Sequence, residues 1–473
     1  MLKNHIQVQL FENLKYSPTE SQQKLIQLMA DFIFSDDKDE LLLVKGFAGT
    51  GKTTMVNALV KVLGACKRKS LLLAPTGRAA KVLASYSGRP AYTIHKKIYR
   101  QQSSKDGFGN FKLDRNFHNH TIFIIDEASM ISNQAMEMNI FGSGRLLDDL
   151  VEYVYTGNNC KMILIGDTAQ LPPVKQSLSP ALDRKHLESY GLKVRETVLT
   201  DVVRQAGESG ILFNATQLRA SINIQSSVFP TIQLTDFSDI QPVTGDMLIE
   251  EISDVYDKYG MDETIIITRS NKRANVYNQG IRNSILWREE ELSPGDILMV
   301  VKNNYFWLDD NDKTSYIANG DTVEVIKIRR TEELYGFRFA DVLLRMTDYD
   351  LEIDAKIILD TLTIDAAALS TEDNKKLFFA VFDDFHEISS KKKRYDAVKN
   401  NAHFNALQVK FAYAVTCHKA QGGQWKAVFI DQGYLTGNPD VEYLRWMYTA
   451  FTRPTEKLYL VNFAKEMFGE GEG

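Results

Sequence analysis

Between the apolar run Leu41-Leu42-Leu43-Val44 and the helix-like stretch Thr54–Leu63 stands Gly46-Phe47-Ala48-Gly49-Thr50-Gly51-Lys52-Thr53. A strand that must pass at once into a helix through G-x-x-x-x-G-K-T leaves few fold classes open. The glycines let the backbone turn tightly, so that its N–H groups can surround phosphate oxygens where the following helix presents its positive end. Lys52 can reach the β- and γ-phosphates, and the Thr53 hydroxyl can hold Mg²⁺. The rest of the chain is therefore read against a bound nucleoside triphosphate.

Three more apolar runs follow this phosphate loop, Ser70–Ala74, Thr121–Ile125 and Lys161–Ile165, and each reads as a buried strand. The second delivers Asp126-Glu127 at its carboxyl end, where doubly wound sheets place ligands. Asp126 would hold Mg²⁺ directly or through water, and Glu127 would polarise the attacking water, because γ-phosphate hydrolysis needs charge neutralisation and a positioned nucleophile. The third run ends in Gly166-Asp167-Thr168-Ala169-Gln170, where Gln170 could sense the γ-phosphate. The Leu171-Pro172-Pro173 that follows can be neither helix nor central strand, so a rigid connector is expected. Upstream, Ser17–Gln22 reads as a capped helix start, and the Gln22 amide could recognise an adenine edge.

The second half opens at Leu199–Gln205, which carries Arg204, and Thr264–Thr268 starts another α/β unit. From about Leu292 to Ile328 short strands separated by Pro294-Gly295-Asp296 and Asn319-Gly320-Asp321 predict a small antiparallel barrel. Leu369–Asn401 reads as helical and charged. The α/β pattern resumes at Phe411–Gly422, whose apolar strand delivers Thr416, His418 and Lys419, donors suited to phosphate oxygens. A helix over Leu444–Arg453 ends before Pro454. Arg453 and Arg204 are candidate arginine fingers, placed across a cleft from Lys52 if two α/β units face one another. The polar insert Lys96–His120, with Phe108 and Phe111 around Gly109-Asn110, predicts a β-hairpin whose tip aromatics stack on a terminal base pair as a strand-separating wedge.

A net charge of −5 argues against a polyanion partner only if charge is spread evenly. It is not: Lys61 through Arg115 holds thirteen Lys or Arg against Asp106 and Asp114 alone. Cys66, Cys160 and Cys417 lack paired spacing, which predicts reduced thiols and no disulfide. No apolar run approaches the roughly twenty residues that span a bilayer, and Met1–Leu10 is polar and mixed, so a cytoplasmic protein without a membrane partner is expected.

In their order these residues resemble the motifs of a superfamily 1 helicase over nearly the whole chain. Gln22 resembles the Q motif, Gly46–Thr53 motif I, Ala74–Ala80 motif Ia and Thr93-Ile94-His95 motif Ib. Asp126-Glu127-Ala128-Ser129-Met130 resembles motif II, Gly166–Leu171 motif III, Arg204 motif IV, Val415–Gly422 motif V and Tyr448–Arg453 motif VI. Motif VI reads Ala-Phe-Thr-Arg where the family often has Ala-Leu-Thr-Arg. The short insert after His95 and the barrel-like insert after Pro294 resemble the RecD/Dda-like branch, whose members move 5′→3′ on DNA.

The resemblance implies an α/β fold of two RecA-like P-loop motor domains, with a β-hairpin insert and an SH3-like barrel insert. The expected divisions are 1–95 with 121–198 for the first motor, 96–120 for the hairpin, 289–404 for the barrel with its helical extension, and 199–288 with 405–473 for the second motor. ATP would be held by Gln22, Gly46, Ala48, Gly49, Thr50, Gly51, Lys52, Thr53 and Thr54, then by Asp126, Glu127, Gln170, Arg204, Gly422 and Arg453. Mg²⁺ would be held by Thr53 and Asp126, and catalysis would rest on Lys52, Glu127, Gln170, Arg204 and Arg453. Single-stranded DNA would contact Pro75, Thr76, Arg78, Thr93, His95, Phe108, Phe111, Thr416, His418 and Lys419. The implied substrate is a duplex with a 5′ single-stranded tail, opened by a monomer; an RNA or RNA–DNA translocase and a nucleotide-switched single-strand clamp are the alternatives.

Overall fold

The apolar runs of the first half become strands with both faces covered. The computed structural model describes residues 2–468 apart from 15, 102–110, 135–141, 203–208, 227, 229, 309–315, 348–350 and 435–438. In chain order the first strands are β1 (Glu40–Gly46), β2 (Lys69–Ala74), β3 (Ala91–Thr93), β4 (Tyr99–Gln101), β5 (Phe111–Leu113), β6 (Thr121–Ile125), β7 (Lys161–Gly166) and β8 (Lys193–Leu199). Six of them form a parallel sheet in the order β3-β2-β6-β7-β1-β8. Every residue of β6 and β7 is buried, because helices pack on both faces; this is why the strands read as unbroken apolar runs. Alternate residues of β1 serve the two faces: Leu42 and Val44 meet Met55 and Leu59, whereas Leu41 and Leu43 meet Leu147 and Leu150.

The second half supplies β9 (Ile240–Val243), β10 (Thr264–Thr268), β11 (Ile297–Val300), β12 (Thr322–Leu334), β13 (Phe337–Met346), β14 (Leu351–Ile358), β15 (Leu407–Phe411), β16 (Ala414–Thr416), β17 (Trp425–Asp431) and β18 (Pro454–Val461). A second parallel sheet runs β16-β10-β17-β18-β9, and β11 to β15 close into a barrel. The architecture is thus two RecA-like α/β units and a five-stranded barrel. The barrel's last strand differs from expectation. Leu407–Phe411, assigned from sequence to the second motor, pairs antiparallel with β11 and parallel with β14. One apolar run serves two sheets here, passing from β15 to β16 through Ala412-Tyr413 with no turn residue to mark the change.

The hairpin expectation also needs correction. The two short strands β4 and β5 do pair, but Phe108 lies outside the described residues, and Phe111 is not exposed. Its ring is 4% accessible and lies 4.5 Å from that of Tyr305 and 6.4 Å from that of Tyr316, both in the link between β11 and β12. Burying the aromatic against the barrel removes it from water, so Phe111 joins the ribbon to the barrel and cannot be a wedge surface.

A single carboxylate clamps both crossings into the barrel. Asp296, fully buried, accepts from Arg282 at 3.1 and 3.0 Å, from Arg288 at 2.8 Å, from the Tyr413 hydroxyl at 3.0 Å and from Ser293 N–H at 2.7 Å. Arg282 belongs to the Asn271–Ser284 helix of the second RecA-like unit, Asp296 stands where the chain enters the barrel, and Tyr413 stands where it leaves. Removing one partner of such a set leaves the buried cations uncompensated. Asp296→Ala is therefore expected to lower unfolding stability by about 3–5 kcal/mol, read from a urea titration followed by tryptophan fluorescence; an unchanged midpoint would contradict the clamp.

Candidate nucleotide and strand site

The phosphate loop takes the form its glycines permit. Gly49 and Gly51 have φ of +73° and +83°, a region other residues rarely occupy, and Gly51 precedes the Lys52–Ala65 helix. Gly49 also lies close beneath the second unit: a Cβ there would stand 3.2 Å from Leu212 and 3.4 Å from Val202. Lys52 Nζ donates to Gly46 O and Phe47 O, each at 2.8 Å, and lies 3.8 Å from Asp167. The Gln22 carbonyl accepts from Thr19 N–H at 3.1 Å, and its amide donates to Thr50 O at 2.9 Å. Gln22 thus bridges a helix cap to the phosphate loop, with its oxygen already engaged by backbone.

These residues line a cavity of about 500 Å³ between the two units. Ala48, Gly49, Gly51, Lys52, Thr53 and Thr54 form one wall; Thr452, Arg453 and Gln424 form the other. Tyr16 and Gln22 also line the cavity. The Thr50 side chain is buried, its hydroxyl donating to Phe47 O at 2.8 Å. Gly422 packs close on the first unit: a Cβ there would meet Ala79 at 2.8 Å and Thr76 Oγ1 at 3.4 Å. It seats motif V against motif Ia. Arg204 lies outside the described residues.

Asp126 and Glu127 follow β6 as the sequence predicts. Asp126 accepts from Glu127 N–H at 2.9 Å and from the Tyr86 hydroxyl. Glu127 adopts φ +53°, and its pKa is raised. Burial is the main cause and the negative charge of Asp126 adds to it, with Arg453 and Lys52 opposing. Arg453 is buried, donating to Thr449 O at 3.0 Å and Gly423 O at 3.2 Å. The Gln170 Oε1 is buried with no hydrogen-bond partner, and its side chain lines the cavity.

This set fits a magnesium nucleotide. Among the described residues no three His, Cys, Asp or Glu gather to hold a metal by themselves. A hydroxyl and one or two carboxylates completed by phosphate oxygens is what Mg²⁺ takes, and Thr53 with Asp126 supplies that chemistry. The unpartnered Gln170 amide oxygen, an acceptor in a buried cradle, suits a water beside the phosphates.

Sequence reasoning missed the residue that joins the two walls. Tyr448, 1% exposed on the Val441–Phe451 helix, accepts from Ala48 N–H at 2.8 Å and donates to Asp167 at 2.7 Å. Three neighbouring bonds extend this seam: Arg445 donates to Thr168 O at 2.6 Å, Leu171 N–H to Thr449 Oγ1 at 2.8 Å, and Gln421 to Leu171 O at 2.7 Å. The loop that follows β7 is thereby held by the other unit. Only the aromatic at this position of motif VI could have signalled it.

The residues expected at a strand divide. Thr76 caps the Gly77–Ser87 helix, accepting from Ala79 N–H at 3.2 Å, and Pro75 beside it is half-buried. Arg78 stacks over the Trp425 ring at 4.5 Å, which makes it an inter-unit contact. Thr93 is buried, accepting from Lys96 N–H at 3.1 Å with the Tyr316 hydroxyl 3.4 Å away. His95 stays neutral at pH 7, since burial pushes its pKa down to about 4. On the other unit Thr416 is half-buried and His418 exposed, while Lys419 donates to the Asn319 side chain of the barrel and is pushed down to about 8 by burial.

Tyr448→Phe keeps the ring and deletes both bonds of its hydroxyl. Leaving the Ala48 amide and the Asp167 carboxylate each short of a partner costs about 1–3 kcal/mol per group. Thermal unfolding is expected to begin at lower temperature in this variant than in the parent; coincident melting curves would show that the seam does not depend on Tyr448.

An AAA domain model matches residues 19–226, and a UvrD-like helicase C-terminal domain model matches residues 411–461. The chain is 26% identical over 287 residues to the ATP-dependent RecD2 DNA helicase of Deinococcus radiodurans, a match that takes in 56% of this chain and 34% of that protein. It is 23% identical over 352 residues to the ATP-dependent DNA helicase dda of Enterobacteria phage T4, with 71% and 73% covered. Among solved structures, two coordinating Pif1 helicases at forked double-stranded DNA are similar at 17% identity and a TM-score of 0.48, with 96% of this chain and 94% of that one covered. These matches support a superfamily 1 helicase, an ATP-hydrolysing enzyme, of the branch that holds RecD2 and Dda.

Proposed function

We propose that the chain is an ATP-driven DNA helicase that travels 5′→3′ along one strand as a monomer and opens the duplex ahead. The observation that carries this reading is the shared cavity, with the phosphate loop on one RecA-like unit and Arg453 on the other. Lys52 and the loop amides bind the phosphates, Thr53 and Asp126 hold Mg²⁺, and Glu127 with Gln170 orients the attacking water. When bound, Mg²⁺ neutralises phosphate charge. Arg453 stabilises charge from the opposite wall, so hydrolysis depends on both units being in place.

Two grips follow from the same arrangement. Thr76 on the first unit and Thr416 with His418 on the second offer donors to successive phosphates, and drawing the units together and apart would move one grip past the other. With Phe111 buried, strand separation falls to the remainder of the hairpin or to the barrel, which the Phe111, Tyr305 and Tyr316 rings join. The 5′→3′ direction is carried by the branch resemblance.

The deciding experiment compares duplexes with a 5′ or a 3′ single-stranded tail, in DNA and in RNA, with ATP and Mg²⁺. Opening confined to the 5′-tailed DNA is expected. Opening of the 3′-tailed substrate alone would refute the direction, and preference for RNA tails would refute the substrate.

The raised pKa of Glu127 gives a second expectation. The carboxylate serves as acceptor for the water only when ionised, so activity is lost as pH falls through its pKa. The acid limb of the single-strand-stimulated ATPase rate should therefore lie above the ordinary glutamate value of about 4.3. A profile flat down to that value would remove Glu127 from this role.

A further inference from the structure

The Gly77–Ser87 helix carries a residue that no motif claims. Tyr86 lies near its end, half-buried against the apolar cluster of the Lys52–Ala65 helix, and its hydroxyl donates to Asp126 Oδ2. The other oxygen of the same carboxylate accepts from Glu127 N–H at 2.9 Å, while the Asp126 N–H is fixed on Leu73 O at 3.0 Å. Asp126 is thus held at both oxygens and at its backbone. The helix that brings Tyr86 is itself seated at its first turn, where a Cβ on Gly422 would stand only 2.8 Å from Ala79.

A carboxylate that serves a metal depends on such outer partners, because they set its plane and the direction of its free lone pairs. Tyr86 donates to the carboxylate oxygen that the Glu127 amide leaves free. We propose that Tyr86 is a positioning residue for the Asp126 carboxylate, and that its hydroxyl aims this group at the divalent cation bound with the nucleotide. The inference rests on the reading of Asp126 as a metal-holding residue. It adds a residue outside the recognised motifs to the metal's support.

The test measures Mn²⁺ binding to the full chain by the paramagnetic signal of free Mn²⁺ in the presence of saturating ADP, alongside ADP binding in EDTA. Loss of such an outer partner weakens metal affinity by roughly 10–100-fold. Tyr86→Phe is expected to weaken Mn²⁺ binding about tenfold while ADP binding without metal stays as in the parent. Mn²⁺ affinity within twofold of the parent in Tyr86→Phe, with Asp126→Asn strongly impaired, would overturn the inference and leave the reading of Asp126 intact. Parent-like Mn²⁺ binding in Asp126→Asn would overturn the reading of Asp126 itself. Equal loss of metal-free ADP binding in Tyr86→Phe would make Tyr86 a residue of the fold and overturn the inference as well.

Discussion

One phenol hydroxyl decides how the two halves of this chain meet. Tyr448 takes a hydrogen bond from the phosphate loop at Ala48 and gives one to Asp167, so a single side chain of the second unit completes two polar groups of the first. Away from water such bonds are strong and their loss is costly. Arg445, Thr449 and Gln421 then hold the backbone from Thr168 to Leu171. The loop that follows β7 belongs to the first unit by sequence and to the second by bonding. Any change in the spacing of the units must break these bonds or carry the loop with it, and Gln170 lies within that loop. On the proposed reading, this is how the γ-phosphate region senses the relation between the units.

The barrel is bound into the same framework from another side. Asp296 ties its entry and exit to the Asn271–Ser284 helix, and the barrel core runs without interruption into that of the second unit, with Leu298 and Val323 in one cluster with Ile266 and Phe429. Its β11–β12 link reaches the first unit at Thr93 and the ribbon at Phe111, while Asn319 in that link accepts from Lys419. A side chain read as a strand contact can therefore be a structural tie. Lys419, expected at phosphates, donates to Asn319 of the barrel and is partly desolvated.

What the sequence made legible was chemistry confined to a few consecutive residues. Eight residues define the phosphate loop, and Asp126-Glu127 follow an uninterrupted apolar strand, so the two sheets and one wall of the cavity could be read without coordinates. The other features depend on distant residues. Tyr448 and Ala48 stand 400 positions apart, and Tyr448 and Asp167 stand 281 apart; no local pattern marks such pairs. Phe111 misled because an aromatic among polar and glycine residues resembles an exposed tip, while its covering rings come from the barrel. Asp296 shows another limit: Pro294-Gly295-Asp296 reads as a turn before a strand, as it folds, but only the folded chain brings Arg282, Arg288 and Tyr413 around its carboxylate.

Glu127 is half-buried, and the closeness of the two units bears on its charge. A carboxylate removed from water resists ionisation, and here the negative Asp126 adds to that resistance while Lys52 from the same unit and Arg453 from the other oppose it. Of the two cations, Lys52 travels with Glu127, whereas Arg453 arrives only with the second unit. Drawing the units apart would hydrate the carboxylate and remove Arg453 together. On the proposed reading, the carboxylate that orients water and the cation that stabilises phosphate charge would both depend on how closely the units meet across the seam that Tyr448 bridges. On that reading a chain built this way would gate hydrolysis by assembly, since the half-buried Glu127 has its distant cation only where the two units share a wall.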